Sequence, residues 1–419
     1  MSAHKSIHFP NTREAALKAT KEFAPHMGQQ YAKERNRVVP GHPFVSRLSP
    51  AIRIRLVLER EVSQVAVEEH GSVRDCEKFV QEVNWRGYWR SWLETHPEIW
   101  TRYTRTRDEA RAGLAKVQRN RIAQIEAGES GCEPMDNFAR ELVETGYMHN
   151  HARMWFAAYW IHTEKLPWEL GSDFFERHLL CACPASNTLS WRWVAGIQTR
   201  GKAYLARRSN LEKFCDPAYL GDEIGMERLQ KQTEADVPDE PLPSPSQPSF
   251  DTKIKKSKGD LGLWITEDDL SSETSEQLGE VEFTAICTSV VGAPHESETS
   301  NGLRRDYRLK GAQDAGRRAQ GKWNTQASNF EVADGKELAE QIGDWAKEAG
   351  ISTVVALKPF VGPTDDALDT LRSRLESQGV QLQLLRRPED AALLPYATAG
   401  FYRFWQGAKK EFHLDSKAD

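Results

Sequence analysis

Thr145-Gly-Tyr-Met-His-Asn-His-Ala-Arg-Met154, then Leu166-Pro-Trp168, then Pro184-Ala-Ser-Asn-Thr-Leu-Ser-Trp-Arg-Trp193: on this stretch the reading of a 419-residue chain turns. Working outward from it, apolar positions recur at helical spacing over Pro50–His70, Val73–Glu94, Arg105–Ala127, Asp136–Thr145, His151–Thr163, Ser172–Leu180 and Leu205–Phe214. Few glycines or prolines interrupt these windows, so the first 215 residues read as mainly α-helical. Ser49 before Pro50 is a helix start: a hydroxyl cap, then a residue that needs no backbone donor. Nine of the 13 tryptophans lie between Trp85 and Trp193. That density exceeds what a core needs and suggests ring stacking or redox use.

Composition narrows the class. The chain is 39% apolar, with no run of 18 or more apolar residues, which argues for a soluble protein with no membrane span. The first 13 residues lack the apolar core of a secretory signal. Six scattered cysteines do not make a disulfide framework, and a reducing cytoplasm is the expected location. The net charge of −5 hides an asymmetry, because residues 1–230 are net positive and residues 231–419 net negative. A polyanionic partner would find its site in the first half.

The grammar changes after residue 228. Pro238, Pro241, Pro243, Pro245 and Pro248, with serines and a lysine cluster, make 229–260 a linker that buries no core. Beyond it, Val281–Val291 and Thr353–Phe360 are β-branched runs, Gly335–Ala349 and Asp365–Gln378 have helical spacing, and Val380–Leu385 is a short strand. Strand, helix and strand in close succession predict a small parallel α/β domain over 261–419. The aromatic ending Ala397–Trp405 reads either as core or as a tail packed on another surface.

Together with Val45-Ser-Arg-Leu-Ser-Pro50 and Glu82-Val-Asn-Trp-Arg86, and in this order, the opening motifs resemble the FAD-binding helical domain of the photolyase and cryptochrome family. The resemblance runs from about Tyr31 to Phe214. It implies an all-helical FAD-binding domain over 1–228, with FAD as cofactor. It assigns Tyr31, Ser46, Arg47, Leu48 and Ser49 to the cofactor's phosphate side, for which hydroxyls and backbone donors at a helix start are suited. Asn150 and Arg153, one helical turn apart, would contact the flavin or its surroundings, and Asn187 would stand beside flavin N5. Relatives open with an α/β antenna domain, whereas this chain begins with the helical half.

The same resemblance implies a substrate. Glu82, Trp85 and Trp193 match residues that receive a damaged dinucleotide extruded from DNA, where rings stack on bases and a carboxyl hydrogen-bonds the lesion. Arg35, Arg86 and Arg90 would meet phosphates, joined by Arg102, Arg105, Arg107 and Arg111 unless these form a solvated helix face. Trp191 and Trp168 match the first two tryptophans that feed electrons to the photoexcited flavin. The third falls near Ala115, so another ring substitutes or the relay is shortened. Asn150 and Met154 replace the paired histidines typical of (6-4) enzymes, which favours the cyclobutane pyrimidine dimer as substrate.

One departure is large. Cys181-Ala182-Cys183 stands where the family usually has Asp-x-Asp, whose carboxylates hold the flavin edge and pair with the arginine matching Arg153. Cysteine is a weak acceptor, so the expectation is that Arg153 loses its counter-charge and flavin binding loosens. No matching second Cys/His pair supports a metal. Three functions follow for what is expected to be a monomer: light-driven repair of cyclobutane dimers in damaged DNA, a blue-light receptor signalling through the acidic half, or a flavin-binding interaction module.

Overall fold

The computed structural model describes residues 7–199, 201–221, 223–238, 240–255, 259–292 and 302–415. Helices fill the first half, in the order Arg13–Phe23, Gln29–Glu34, Ser49–Arg53, Glu59–His70, Glu77–Thr95, Glu98–Gly113, Lys116–Glu126, Glu133–Thr145, Asn150–Ala158, Trp168–His178, Pro184–Val194 and Arg208–Phe214. Two windows predicted as single helices are split. Between Arg53 and Glu59 the chain turns through Arg55, whose φ of 53° is left-handed, and both arginines enter the interior. The Glu61 carboxylate accepts the Leu58 backbone N–H and restarts the helix. The second break follows Gly113, where Leu114 is extended. The Asn150–Ala158 helix continues as a π-turn over Tyr159–Thr163.

The second half builds a sheet of five parallel strands: β1 (Leu261–Thr266), β2 (Ala285–Val291), β3 (Ala327–Val332), β4 (Thr353–Leu357) and β5 (Gln381–Leu385), in the order β3-β2-β1-β4-β5. Alternation sorts its faces. Leu263 and Ile265 join the core shared with the helical half, while Trp264 joins a second core with Leu338, Ile342, Leu371 and Leu375 from the Gly335–Glu348 and Leu368–Ser377 helices. Sequence patterning missed β1, β3 and the long Leu303–Trp323 helix. That helix carries many arginines, two of which, Arg304 and Arg308, are buried as ion-pair partners of Glu176 and Glu267 rather than left on a polar face.

The two halves meet at the end of β1. Asp268 accepts from Arg53 Nη1 at 2.6 Å, and Asp269 accepts from Arg55 Nη1 at 3.1 Å and from Arg387 Nε at 2.6 Å. Arg308 pairs with Glu267 at 2.9 Å and also donates to the Ala182 carbonyl. The Leu270 N–H donates to the Ile54 carbonyl at 3.0 Å, which ties the β1 loop to the break between the two helices. In open α/β sheets, ligand crevices lie beyond the strand ends. Here the ends of β1 and β4 face arginines of the helical half. The proline-rich segment is packed as well: the Ser246 N–H donates to Thr95, and Asp251 bridges to Leu385 at the β5 edge.

Burial pushes the Asp268 and Asp269 carboxyls up, but the arginines facing them outweigh it and hold both below the usual carboxylate range. Such groups stabilise the fold above the unfolded value near pH 4 and lose that contribution as pH falls through the lower folded value. Asp269→Asn would leave Arg55 and Arg387 facing a neutral amide. It is expected to lower stability by about 3–5 kcal/mol in denaturant unfolding at pH 7, with a smaller difference from the parent below about pH 3.

Candidate functional site

A cavity of about 880 Å³ opens in the helical half, within the size range of cofactor sites. The Glu77–Thr95 helix forms one wall, because Glu82, Trp85, Arg86, Trp89 and Trp92 recur on one face of it. Tyr31, from the short Gln29–Glu34 helix, packs edge-on to Phe79 with centroids 5.0 Å apart. Ser46, Arg47 and Ser49 line the cavity where the backbone turns sharply, with Arg47 at a φ of 55° and the Leu48 N–H donating to Ser46 Oγ at 3.3 Å. The Leu48 side chain is not on the cavity but fully buried in the core, so only its backbone is available for the expected phosphate role.

Opposite, the Asn150–Ala158 and Pro184–Val194 helices contribute Asn150, Arg153 and Asn187. Asn187 Nδ2 donates to the Ser172 carbonyl at 2.8 Å and to its hydroxyl at 3.0 Å, which fixes the amide against the neighbouring helix. Arg153 donates from Nε to the Met148 carbonyl at 2.8 Å and from Nη2 to Cys181 Sγ at 3.1 Å. Burial pushes the Cys181 thiol up, but Arg153 and Arg86 outweigh it and bring it below the usual thiol value. Arg153 thus keeps a hydrogen-bond partner, the Cys181 sulfur, where the family usually places a carboxylate.

Glu82 pairs with Arg35 at 3.2 Å, and burial raises its carboxyl against Arg35 and Lys78. Arg86 lines the cavity and donates to the Cys181 and Ser49 carbonyls at 3.5 and 3.4 Å. Arg90, expected to meet DNA phosphates, is corrected. It is 1% exposed, donates to the Arg53 carbonyl and packs over the Phe360 ring, out of reach of a surface ligand. The basic run divides too. Arg107 is buried beside Tyr103, Arg111 pairs with Asp173 at 2.5 Å, and Arg102 and Arg105 pair with Glu240 and Glu109.

The tryptophans separate by environment. Trp193 lines the cavity and packs near Tyr204, while Trp191 lines it from a buried position edge-on to Phe175 at 5.1 Å. A Cβ at Gly171 would stand 2.3 Å from the Trp191 ring, so glycine permits that approach. Trp168 is buried off the cavity, stacked on Tyr103 at 5.5 Å, and Tyr103 in turn packs on Trp100 at 5.4 Å. Ala115 is exposed and offers no ring. Sequence reasoning did not single out Tyr103 or Trp100, which pack in series on Trp168, although both lie in the aromatic-rich 85–193 region.

Sequence reasoning also missed what covers Trp85. Phe401, at the start of the Phe401–Glu411 helix, stacks on it with centroids 3.9 Å apart and planes 9° apart. Tyr88 donates to the Ala399 carbonyl at 2.8 Å, and Thr398–Phe401 and Leu242 join the cavity lining. Both readings of the aromatic ending hold in part: Phe401 packs on the helical half, while Phe404 and Trp405 are core.

A large planar cofactor with a charged diphosphate fits these walls. Four lining residues keep a buried polar atom without a partner, namely Arg35 Nε, His149 Nε2, Ser186 Oγ and Trp191 Nε1, and all but the histidine nitrogen are hydrogen-bond donors in every ordinary state. The aromatic walls supply the apolar contact that a flavin ring needs.

Comparison with known proteins agrees. Residues 79–218 match the family model described as the FAD binding domain of DNA photolyase. The deoxyribodipyrimidine photo-lyase of Alkalihalophilus pseudofirmus is 28% identical over 186 residues, covering 42% of this chain and 38% of its own. The enzyme of the same name from Streptomyces griseus is 31% identical over 155 residues, covering 37% and 32%. The chain thus spans well under half the length of the curated relatives it matches. The solved Synechocystis sp. PCC6803 cryptochrome overlays 52% of this chain and 47% of its own, at 21% identity and a TM-score of 0.43. The cavity walls and this match agree: residues 79–218 are similar to the FAD binding domain of DNA photolyase, and FAD is the cofactor.

Proposed function

We propose that this chain repairs cyclobutane pyrimidine dimers in damaged DNA by light-driven electron transfer. The observation that carries the reading is the convergence of Glu82, Trp85 and Trp193 on the cavity that also holds Ser46, Arg47, Ser49, Arg153 and Asn187. When bound and reduced, FAD supplies the excited-state electron that opens the dimer ring and then returns. This chain's residues do the rest. Trp193 and Trp85 offer ring faces to an extruded dinucleotide, Glu82 offers a carboxyl to its carbonyls, and the apolar rings exclude water. Arg35 and Arg86, which also line the cavity, are assigned to phosphate or base contacts. The 28% and 31% identical relatives bear the name of this activity, which supports the reading.

A second reading, a blue-light receptor, draws on one specific observation. Phe401 occupies the Trp85 face on which a base would stack, so substrate must displace the chain's own tail. The repair reading treats this contact as a competitor. Phe401→Ala is expected to tighten binding of dimer-containing DNA by about 0.5–1.5 kcal/mol, the usual worth of an aromatic pair. Full-length protein with FAD, a reductant and blue light should restore dimer-containing DNA. No loss of dimers with either the parent or Phe401→Ala would contradict repair and favour the receptor.

The rings beyond Trp168 carry a second expectation. We assign the electron path feeding the flavin to Trp191, Trp168, Tyr103 and Trp100, with Tyr103 in place of the absent third tryptophan. Tyr103→Phe keeps the ring's volume but resists oxidation. It is expected to slow photoreduction of bound flavin at least about tenfold, as a transfer barrier raised by about 1.4 kcal/mol would. An unchanged photoreduction rate in that variant, at equal FAD content, would remove Tyr103 from the path.

A further inference from the structure

Cys181 and Cys183 line the cavity from a buried loop, and their sulfurs meet an unusual concentration of guanidinium groups. Cys181 Sγ accepts from Arg153 Nη2 at 3.1 Å, with Arg86 and Ser49 as its other polar neighbours. Cys183 is the residue immediately before the Pro184–Val194 helix. Arg90, Arg86 and Arg53 face it from the Glu77–Thr95 and Ser49–Arg53 helices, and the Ser186 backbone N–H from its own. Two of these arginines also hold carboxylates, Arg53 with Asp268 at 2.6 Å and Arg90 with Glu59 at 3.4 Å, while Arg86 donates only to carbonyls among its hydrogen bonds on the described residues.

That geometry favours a charged sulfur. Burial pushes the Cys183 thiol up, but Arg90, Arg86 and Arg53 outweigh it and bring it to about 6. The chain's other cysteines run the opposite way. Burial pushes Cys76 up to about 11, Cys132 and Cys215 to about 12, and Cys287 well above the usual thiol value, and none of the four lines the cavity.

We propose that Cys181 and Cys183 form a thiol-modification site inside the FAD cavity, with Cys183 as the attacking sulfur for small soft electrophiles, and that modification and FAD occupancy exclude one another. The last clause rests on FAD filling this cavity. The reaction is a displacement. With an alkyl halide, the sulfur electron pair forms a C–S bond as the carbon–halogen bond breaks, and halide leaves. With a peroxide, an S–O bond forms, the O–O bond breaks and hydroxide leaves, so sulfur is oxidised by two electrons and the peroxide is reduced by two. A carboxylate in either position offers no such oxidation. The added group takes up space in the cavity, and alkylation removes the negative charge that Arg86, Arg90 and Arg53 face.

Iodoacetamide labelling of the full chain tests this, with FAD removed and with FAD restored, read by mass on the tryptic peptide from His178 to Arg192, which contains both cysteines. At pH 7 the thiolate fraction favours Cys183 over Cys76 by about 10⁴, and lower basicity reduces its nucleophilicity, leaving roughly fiftyfold. The expected result is that this peptide labels tens of times faster than those carrying Cys76, Cys132, Cys215 or Cys287. The rate should rise through about pH 6 and then level, as the Cys183 thiol gives up its proton. Restored FAD should suppress labelling at least about tenfold, as a tightly bound ligand covering the sulfurs does, and labelled protein should fail to take up FAD. Cys183→Ser should abolish the fast phase while Cys181→Ser retains it, with melting temperatures confirming that both variants fold. Labelling no faster than at the other cysteines, or a fast phase lost only with Cys181→Ser, would overturn the assignment. Fast labelling indifferent to FAD would overturn the exclusion, and a chain that takes up no FAD would instead overturn the cofactor assignment while the labelling pattern stands.

Discussion

Arg53, Arg55 and Arg90 are buried together where the Ser49–Arg53 helix stops short, and most of the structure follows from satisfying them. Three guanidiniums taken out of water need partners, and the chain supplies them from far away in sequence. Asp268 and Asp269 come from the end of β1, Asp390 from the segment after β5, and Glu59 from the next helix. The Phe360 ring, just beyond β4, lies beneath Arg55, Arg90 and Arg386 at 4.9, 4.3 and 4.7 Å. Matching these charges brings the ends of β1 and β4 against the helical half, so the sheet's usual ligand crevice becomes an internal joint.

The same cluster sets the character of the cavity wall. Arg53 and Arg90 face Cys183 as well as their carboxylates, and Arg86 links the Cys181 carbonyl to Ser49. Electrostatics of the joint and of the FAD wall are therefore one system, and a change at Asp268 alters the charge that Arg53 presents to Cys183. The same positive charge lowers both thiols of the Cys181–Cys183 loop against the effect of burial.

What the sequence made legible was the part fixed by short spacing. Glu82, Trp85 and Arg86 share a helix face, Asn150 and Arg153 are one turn apart, and Asn187 with Trp191 lie one turn apart on the Pro184–Val194 helix, so their convergence could be anticipated from position. The β-branched strands β2 and β4 were visible for the same reason. What stayed hidden depends on contacts between distant residues. Arg90 reads like a surface base beside Trp89, yet it is consumed by Arg53 and Glu59, and Phe401 reaches Trp85 across more than three hundred residues. β3 escaped notice because its exposed edge positions Ser328, Asn329 and Glu331 break the apolar run, and the Leu303–Trp323 helix because its buried arginines imitate a solvated face.

The measurement that tests the central claim most directly is the stoichiometry and spectrum of flavin on the purified full chain after reconstitution and gel filtration. The account predicts one FAD per chain with a structured blue absorption band, and a substantially reduced share on Arg153→Ala, because the arginine that bridges Met148 and Cys181 at the cavity wall is gone. A folded chain that elutes colourless and takes up no FAD would contradict it.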